Sequence, residues 1–186
     1  MDPPFPSSDS APATPATDRG FYRPAWRVGL LGFLAPGAYE LWWLWQLFAF
    51  TRRERFQHAR AFWWILIPFY GLYVIYQQFD DLKKALQSAS SPVRLSAAGA
   101  IWLLIASAVA GSGGNRATGL TGLGFFVLSG VFFAGAAFIV QRAANAYQKV
   151  RYPDREAGGM TTGEVIATVI GVIIFAFAIL GALVAG

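Results

Sequence analysis

The chain has 186 residues, of which 55% are hydrophobic and 13% are charged, and it contains one histidine and no cysteine. Soluble domains carry about 25% charged residues, so the surplus of apolar side chains indicates a protein that lies in lipid. Without cysteine the chain cannot form disulfides, thiolate metal sites or iron–sulfur clusters. One histidine is too few for a haem held between two histidines or for a zinc site of several ligands. The composition therefore predicts neither a metal nor another cofactor.

The net charge of +5 would suggest nucleic-acid binding in a soluble protein. In this chain the basic residues flank apolar segments, and that placement indicates membrane topology and contact with anionic lipids. We therefore predict the lipid bilayer as the main partner, with anionic lipids at the basic loops, and no nucleic acid.

Residues 1–20 hold five prolines together with Ser, Thr, Ala and Asp, and they contain no apolar run. Such a composition cannot offset the entropy of ordering, so this stretch is predicted to be a disordered tail and not a signal peptide. Residues 21–186 are predicted to form a single membrane domain. Its apolar segments lie at about 28–50, 61–79, 92–111, 120–140 and 165–184.

The first two apolar segments are each interrupted by proline and are rich in aromatic residues. Residues 39–48 (YELWWLWQLF) align without gaps on residues 70–79 (YGLYVIYQQF), which matches Tyr, Leu, Gln and Phe and pairs Trp with Tyr twice. The offset of 31 residues predicts one supersecondary unit that is used twice.

Two membrane arrangements of these segments stay open. If both span, with the N-terminus inside, ten Lys and Arg lie inside and five outside, most of them in the loop 52–60. A short basic loop outside fits the positive-inside rule poorly. If each segment dips in and returns, at residues 36–37 and at Pro68, fourteen lie on one side and only Arg116 on the other. Such turns must be covered by protein, because lipid cannot pair their backbone groups.

The last three segments are predicted to be transmembrane helices rich in small residues. The third should begin with Ser91 as N-cap and Pro92 in the first turn, and the fifth with a capping box of Thr161 and Glu164. Small residues four apart let helices approach closely in lipid, either within the chain or between copies in a homo-oligomer. These pairs are Ser107/Gly111, Gly130/Ala134, Ala167/Gly171 and Ala182/Gly186.

A resemblance lies in residues 67–86 (IPFYGLYVIYQQFDDLKKAL), 35–48 (APGAYELWWLWQLF) and 141–148 (QRAANAYQ). They resemble uncharacterised bacterial integral-membrane proteins of the domain-of-unknown-function type. In those proteins a proline and a Tyr-x-x-Tyr/Trp pattern open a helix that ends in polar residues. The resemblance implies a bacterial inner-membrane location and no catalytic residues.

Three polar residues are candidates for a functional or structural role. Glu40 is the one ionisable side chain deep within an apolar segment, where a charge is costly. It either caps the helix that restarts after Gly37, where free N–H groups favour a carboxylate, or handles protons or solutes. Gln46 and Gln77 occupy equivalent repeat positions, which suits interhelical hydrogen bonds or, alternatively, a lipid or quinone headgroup site.

The sequence predicts an all-α, polytopic membrane protein in which two proline-broken aromatic segments precede three small-residue-rich helices. It lacks a Walker A lysine motif, a G-x-S-x-G elbow and an H-E-x-x-H helix, so we expect no enzyme. The leading expectation is a non-catalytic membrane component, an accessory or scaffold subunit with its N-terminus in the cytoplasm. The alternatives are a small channel or transporter subunit that uses Glu40 and the proline-broken helices, and, less favoured, a lipid-modifying enzyme.

Overall fold

A computed structural model describes residues 21–67, 69–154, 156 and 158–184. They form α1 (Ala25–Leu34), α2 (Ala38–Arg53), a 3₁₀ segment (Phe62–Leu66), α3 (Tyr70–Ser88), α4 (Ala97–Gly114), α5 (Gly119–Arg151) and α6 (Thr162–Val184). The predicted all-α fold is confirmed. The predicted tail, residues 1–20, lies outside the described residues.

Three helices, α4, α5 and α6, are long and apolar enough to cross a membrane. At 1.5 Å per residue, α4 is about 27 Å long and α6 about 35 Å, against a hydrocarbon core of about 30 Å. They alternate in direction, because α4 and α5 are joined by the short loop 115–118 and α6 returns along α5. The three predicted apolar helices are confirmed, and the chain is a multi-pass membrane protein.

α5 is longer than its predicted apolar segment, which ended at residue 140. The helix continues through the basic connector to Arg151, giving it a length of about 50 Å. Because this exceeds the hydrocarbon core, the polar part, residues 141–151, projects beyond it.

One predicted helix start is confirmed and one is wrong. α6 begins with the capping box: Thr161 Oγ1 accepts the Glu164 N–H at 3.2 Å, and the Glu164 carboxylate accepts the Thr161 N–H at 3.4 Å. α4 does not begin at Ser91, because its N-cap is Ser96, whose Oγ accepts from Gly99. The Ser91 hydroxyl accepts a backbone N–H within a turn instead, which serine does as readily as it caps a helix.

The two halves of the first apolar segment form a helical hairpin. α1 and α2 are about 15 and 24 Å long, and they meet at a turn, residues 35–37, in which Gly37 has φ +77°. Gly171 of α6 lies against the first residue of this turn, and Gly130 of α5 lies against Phe33 just before it. Gly171 is near the middle of α6, and Gly130 is near the middle of the apolar part of α5, residues 119–140. The tip of the hairpin is therefore level with the middle of the apolar parts of two membrane-spanning helices.

A second, smaller hairpin consists of the 3₁₀ segment and α3. Phe62 packs edge-on against Phe48 of α2, with 5.9 Å between the ring centroids, so the first limb lies beside α2. The backbone of Ile65 lies against Gly71, where α3 begins its return. Pro68, at which the turn was predicted, lies outside the described residues.

Most chain connections lie at one end of the helix bundle. The Arg27 side chain donates to the Gly158 carbonyl at 3.1 Å, and Tyr152 donates to the Glu54 carboxylate at 3.4 Å. The start of α1, the end of α2 and the α5–α6 connection are therefore neighbours. Because the spans alternate in direction, the loop 115–118 lies at the opposite end.

Charge is distributed very unevenly between these two ends. Twelve of the thirteen described Lys and Arg residues lie toward the end that holds Arg27 and Glu54, which we call the basic end. Arg116 alone among them lies at the opposite end, in the α4–α5 loop.

Small residues in the spans lie at helix contacts within the chain. Ser107 and Ser129 exchange hydrogen bonds between α4 and α5, each hydroxyl donating to the other's carbonyl at 3.0 and 2.8 Å. Gly130 and Gly171 contact the first hairpin at Phe33 and Ala35. Of the pair Ala182/Gly186, Gly186 lies outside the described residues.

Candidate functional site

The first hairpin is fixed by a buried ion cluster that we call the Glu164 cluster (Arg23, Arg27, Tyr39, Trp42 and Glu164). The Nε atoms of Arg23 and Arg27 lie 3.4 and 3.3 Å from the two oxygens of the Glu164 carboxylate. The Tyr39 hydroxyl donates to the same carboxylate at 3.5 Å. The Arg23 guanidinium lies 4.8 Å from the centre of the Trp42 ring, a cation–π contact. Glu164 thus joins α6 to both limbs of the hairpin.

Pairing makes the burial of Glu164 tolerable. The carboxylate is fully buried, and an ion in that position is stable only when it is paired and hydrogen-bonded. Burial lowers the pKa of the Arg23 guanidinium, and the nearby Glu164 carboxylate opposes that shift. Sequence reasoning assigned Glu164 to a capping box alone, because no local pattern connects it to arginines so far away along the chain.

A chain of hydrogen bonds continues from this cluster onto α5. The indole N–H of Trp43 donates to Gln141 at 3.0 Å, and the Gln141 amide donates to the Phe21 carbonyl at 2.7 Å and to Asn145 at 2.9 Å. Asn145 in turn donates to the Arg23 carbonyl. Both amides come from the QRAANAYQ stretch, whose polar residues therefore hold residues 21–23 in place.

The second hairpin has its own polar clamp at the basic end. The backbone N–H of His58 donates to the Asp81 carboxylate at 2.7 Å, and its Nδ1 lies 2.9 Å from the other carboxylate oxygen. The Gln78 amide donates to the His58 carbonyl at 2.6 Å. Because Asp81 and Gln78 are both buried, these contacts fix the loop after α2 onto α3.

Glu40 lies in the first turn of α2, with its carboxylate near the backbone N–H of Gly37. This geometry supports the capping interpretation. Among the described residues no Lys or Arg pairs with Glu40. The carboxylate also lines a cavity, so the proton or solute alternative stays open.

The cavity that Glu40 lines has a volume of about 400 Å³ and lies between the two hairpins, α4 and α5. Pro36 and Leu44 belong to its first-hairpin wall, and Leu72 of α3 faces it from the second hairpin. Ligand sites in proteins are commonly apolar hollows of about 300–1,000 Å³ with a few polar groups. The cavity therefore has the size and lining of a site for a small ligand.

The two glutamine candidates are not brought together into an interhelical contact. Gln77 donates to the Tyr73 hydroxyl at 2.9 Å, one turn earlier in the same helix. Gln46 is half-buried and makes no side-chain hydrogen bond to any other residue that the structure describes. The contact of Gln77 lies within α3, and the expectation of interhelical hydrogen bonds for Gln46 and Gln77 stays a prediction. Gln78 and Gln141 do connect different structural elements.

No group of three or more His, Asp or Glu side chains in the described ranges is placed to hold a metal ion. The strongest polar constellations are the Glu164 cluster, the His58–Asp81 clamp and the Glu40 cavity. The first two connect parts of the fold, and the third lines a cavity.

Comparison with known protein families, with curated proteins and with solved structures finds no match to this chain. The resemblance to uncharacterised bacterial membrane proteins therefore identifies no family. The fold itself supports the coarser conclusion, a multi-pass helical membrane protein with three long apolar helices.

Proposed function

We propose that the chain is a non-catalytic membrane component, an accessory or scaffold subunit in which three spans hold two re-entrant hairpins. The observation that carries this proposal is the depth of the first hairpin tip, level with Gly171 near the middle of α6 and with Gly130 near the middle of the apolar part of α5. A chain that turns at this depth leaves the membrane on the side from which it entered.

The backbone of this tip meets the condition for a turn in lipid. The Ala35 N–H donates to Leu31 at 2.9 Å, the Tyr39 N–H donates to Ala35 at 3.2 Å, and the Leu41 N–H donates to Gly37 at 3.0 Å. Paired backbone groups and the protein cover from α5 and α6 together make an interrupted helix tolerable at mid-membrane depth.

Charge supports the orientation. With twelve of the thirteen described basic residues at the basic end, the positive-inside rule favours a cytoplasmic basic end and a cytoplasmic N-terminus. Such a surface also attracts anionic lipid headgroups. We therefore propose that the protein lies in a cell membrane, the bacterial inner membrane in particular. There it would contact anionic lipid and either a membrane-protein partner or a second copy of itself.

The topology can be tested with single cysteines, because the chain has none of its own. Ser88→Cys marks the basic end, Ser112→Cys the opposite end, and Gln57→Cys the loop between the hairpins. An impermeant thiol reagent applied to intact cells should label position 112 and spare positions 57 and 88. Labelling of position 57 together with 112 would rule out the hairpins.

A second candidate function is a small channel or transporter subunit, which the position of Glu40 at the cavity favours. Interrupted helices around a mid-membrane carboxylate are found at transport sites. Proton flux into liposomes that contain the purified protein tests this role. Flux that exceeds empty liposomes and is abolished by Glu40→Gln supports it, and flux equal to empty liposomes rejects proton transport.

A further inference from the structure

The Glu40 cavity extends along α4. On this side its wall runs from Leu104 to Gly111 of α4 and on to Asn115 just after the helix, which at 1.5 Å per residue corresponds to about 16 Å. When a volume of about 400 Å³ is spread evenly over that length, its cross-section leaves room for about one alkyl chain. It fits one extended alkyl chain better than a two-chain lipid or a fused ring system.

The side chains along this length are mostly apolar, with Leu72, Phe126 and Phe133 among them. Ser107 and Ser129 also line the cavity, but their hydroxyls donate to each other's carbonyls at 3.0 and 2.8 Å. Both hydroxyls already donate a hydrogen bond, so they do not need a polar ligand as partner. The wall suits a hydrocarbon chain.

Glu40 is the one acidic side chain in the cavity wall, and the described residues offer it no Lys or Arg partner. The contrast with Glu164, which has two arginines at 3.3 and 3.4 Å, is direct. A carboxylate in an apolar site is stabilised strongly by a cation brought next to it. Because Glu40 has no positively charged partner in the described residues, a ligand with a cationic headgroup would complement it.

We propose that this cavity binds a single-chain alkylammonium amphiphile, with the ammonium group at the Glu40 carboxylate and the alkyl chain along the apolar walls of α4 and α5. The inference goes beyond the scaffold role and does not depend on it. A failure to bind such a ligand leaves the cysteine-labelling result unaffected.

The test uses the full-length protein in nanodiscs of phosphatidylcholine, with radiolabelled dodecylamine as the probe and empty nanodiscs as background. Dodecylamine should bind saturably above background. Glu40→Gln should weaken binding about tenfold or more, because it removes the charge and keeps the shape. Ala108→Phe, which fills the cavity from α4 and leaves Glu40 in place, should also weaken it about tenfold or more.

Two matched variants control for general effects. Asp80→Asn removes one carboxylate outside the cavity, and Val109→Phe enlarges the neighbouring residue of α4 on its exposed face. Both should bind dodecylamine like the parent. Melting temperature and elution volume of all four variants show whether they are folded.

Competition separates the two parts of the ligand. Dodecanol has the chain without the charge, and butylamine has the charge with a short chain, so each should compete at least about tenfold more weakly than dodecylamine. Equal competition by dodecanol would overturn the ammonium contact, and equal competition by butylamine would overturn the chain site. Binding no greater than in empty nanodiscs, or equal loss in the control variants, would overturn the whole proposal.

Discussion

The two hairpins share a ten-residue aromatic pattern, residues 39–48 and 70–79, but have different neighbours. Trp43 and Phe48 in the first hairpin are fully buried, as are Val74 and Phe79 at the aligned positions of the second. The residues that open the two helices differ, since Tyr39 is 0% exposed and Tyr70 is 36% exposed. Tyr39 meets Glu164 of α6, whereas the described residues of the second hairpin pack mainly against α4 and α5. Local sequence sets which residues face inward, and neighbouring helices decide how deeply a hairpin is held.

The tips show the same contrast. The first tip is covered by α5 and α6, with Ala35 fully buried. The second exposes large apolar side chains, with Trp63 72%, Leu66 66% and Phe69 87% exposed. In a bilayer these side chains face lipid, so the second tip depends on lipid where the first depends on protein. The proposed repeat between the two stays a prediction.

The largest expected effect is on the first hairpin, through Glu164→Gln. The two arginines would lose their counter-charge while buried, which costs about 3–5 kcal/mol of unfolding free energy. Thermal melting in detergent measures this loss. Asp80→Asn makes the same chemical change on the surface and should barely alter the melting temperature, so equal losses in the two variants would contradict the account.

The next largest effect is expected from Gly171→Leu, because a side chain there would meet Ala35 at the hairpin tip. Overpacking of this kind costs about 1–3 kcal/mol. Gly181→Leu provides a matched control on the same helix, since nothing lies within 4 Å of the position of its Cβ. The prediction fails if both variants melt at the temperature of the parent.

For the second hairpin, Asp81→Ala should cost about 1–3 kcal/mol, because it removes both contacts to His58 and leaves a partly buried backbone N–H unpaired. The loss should be local. Hydrogen exchange should speed up in the loop 54–61 and stay unchanged in α1. Faster exchange in both regions would show that the two hairpins are not held independently.

The smallest effect is expected at the end of α3, where Lys84 lies 2.8 Å from Asp80. Hydrogen bonding to Asp80 raises the pKa of Lys84 above its usual 10.5. The contact therefore stabilises the fold fully below that value and is lost as the pH rises through the raised pKa. Lys84→Ala should lower the melting temperature slightly at pH 8, and the difference from the parent should vanish at strongly alkaline pH. A difference that persists there would exclude this charge contact as its cause.

Sequence patterns predicted what depends on local chemistry. Apolar runs of about the length of a bilayer core predicted the three long helices. The spacing of Thr161 and Glu164 predicted the start of α6. The Ser91 cap was wrong because a Ser-Pro pair suits a turn as well as a helix start. Glu40 was singled out because an ionisable side chain is rare in an apolar segment, but its cavity was not foreseen. The cavity requires four elements to be placed together, which no local pattern encodes.

The order of synthesis gives the Glu164 cluster one more consequence. During synthesis Arg23 is added to the chain 141 residues before Glu164. At about 5–20 residues per second, Arg23 waits roughly 7–30 seconds for its carboxylate. Until then two unpaired guanidinium groups would oppose burial of the first hairpin. We therefore expect the first hairpin to reach its final depth only after α6 has been inserted.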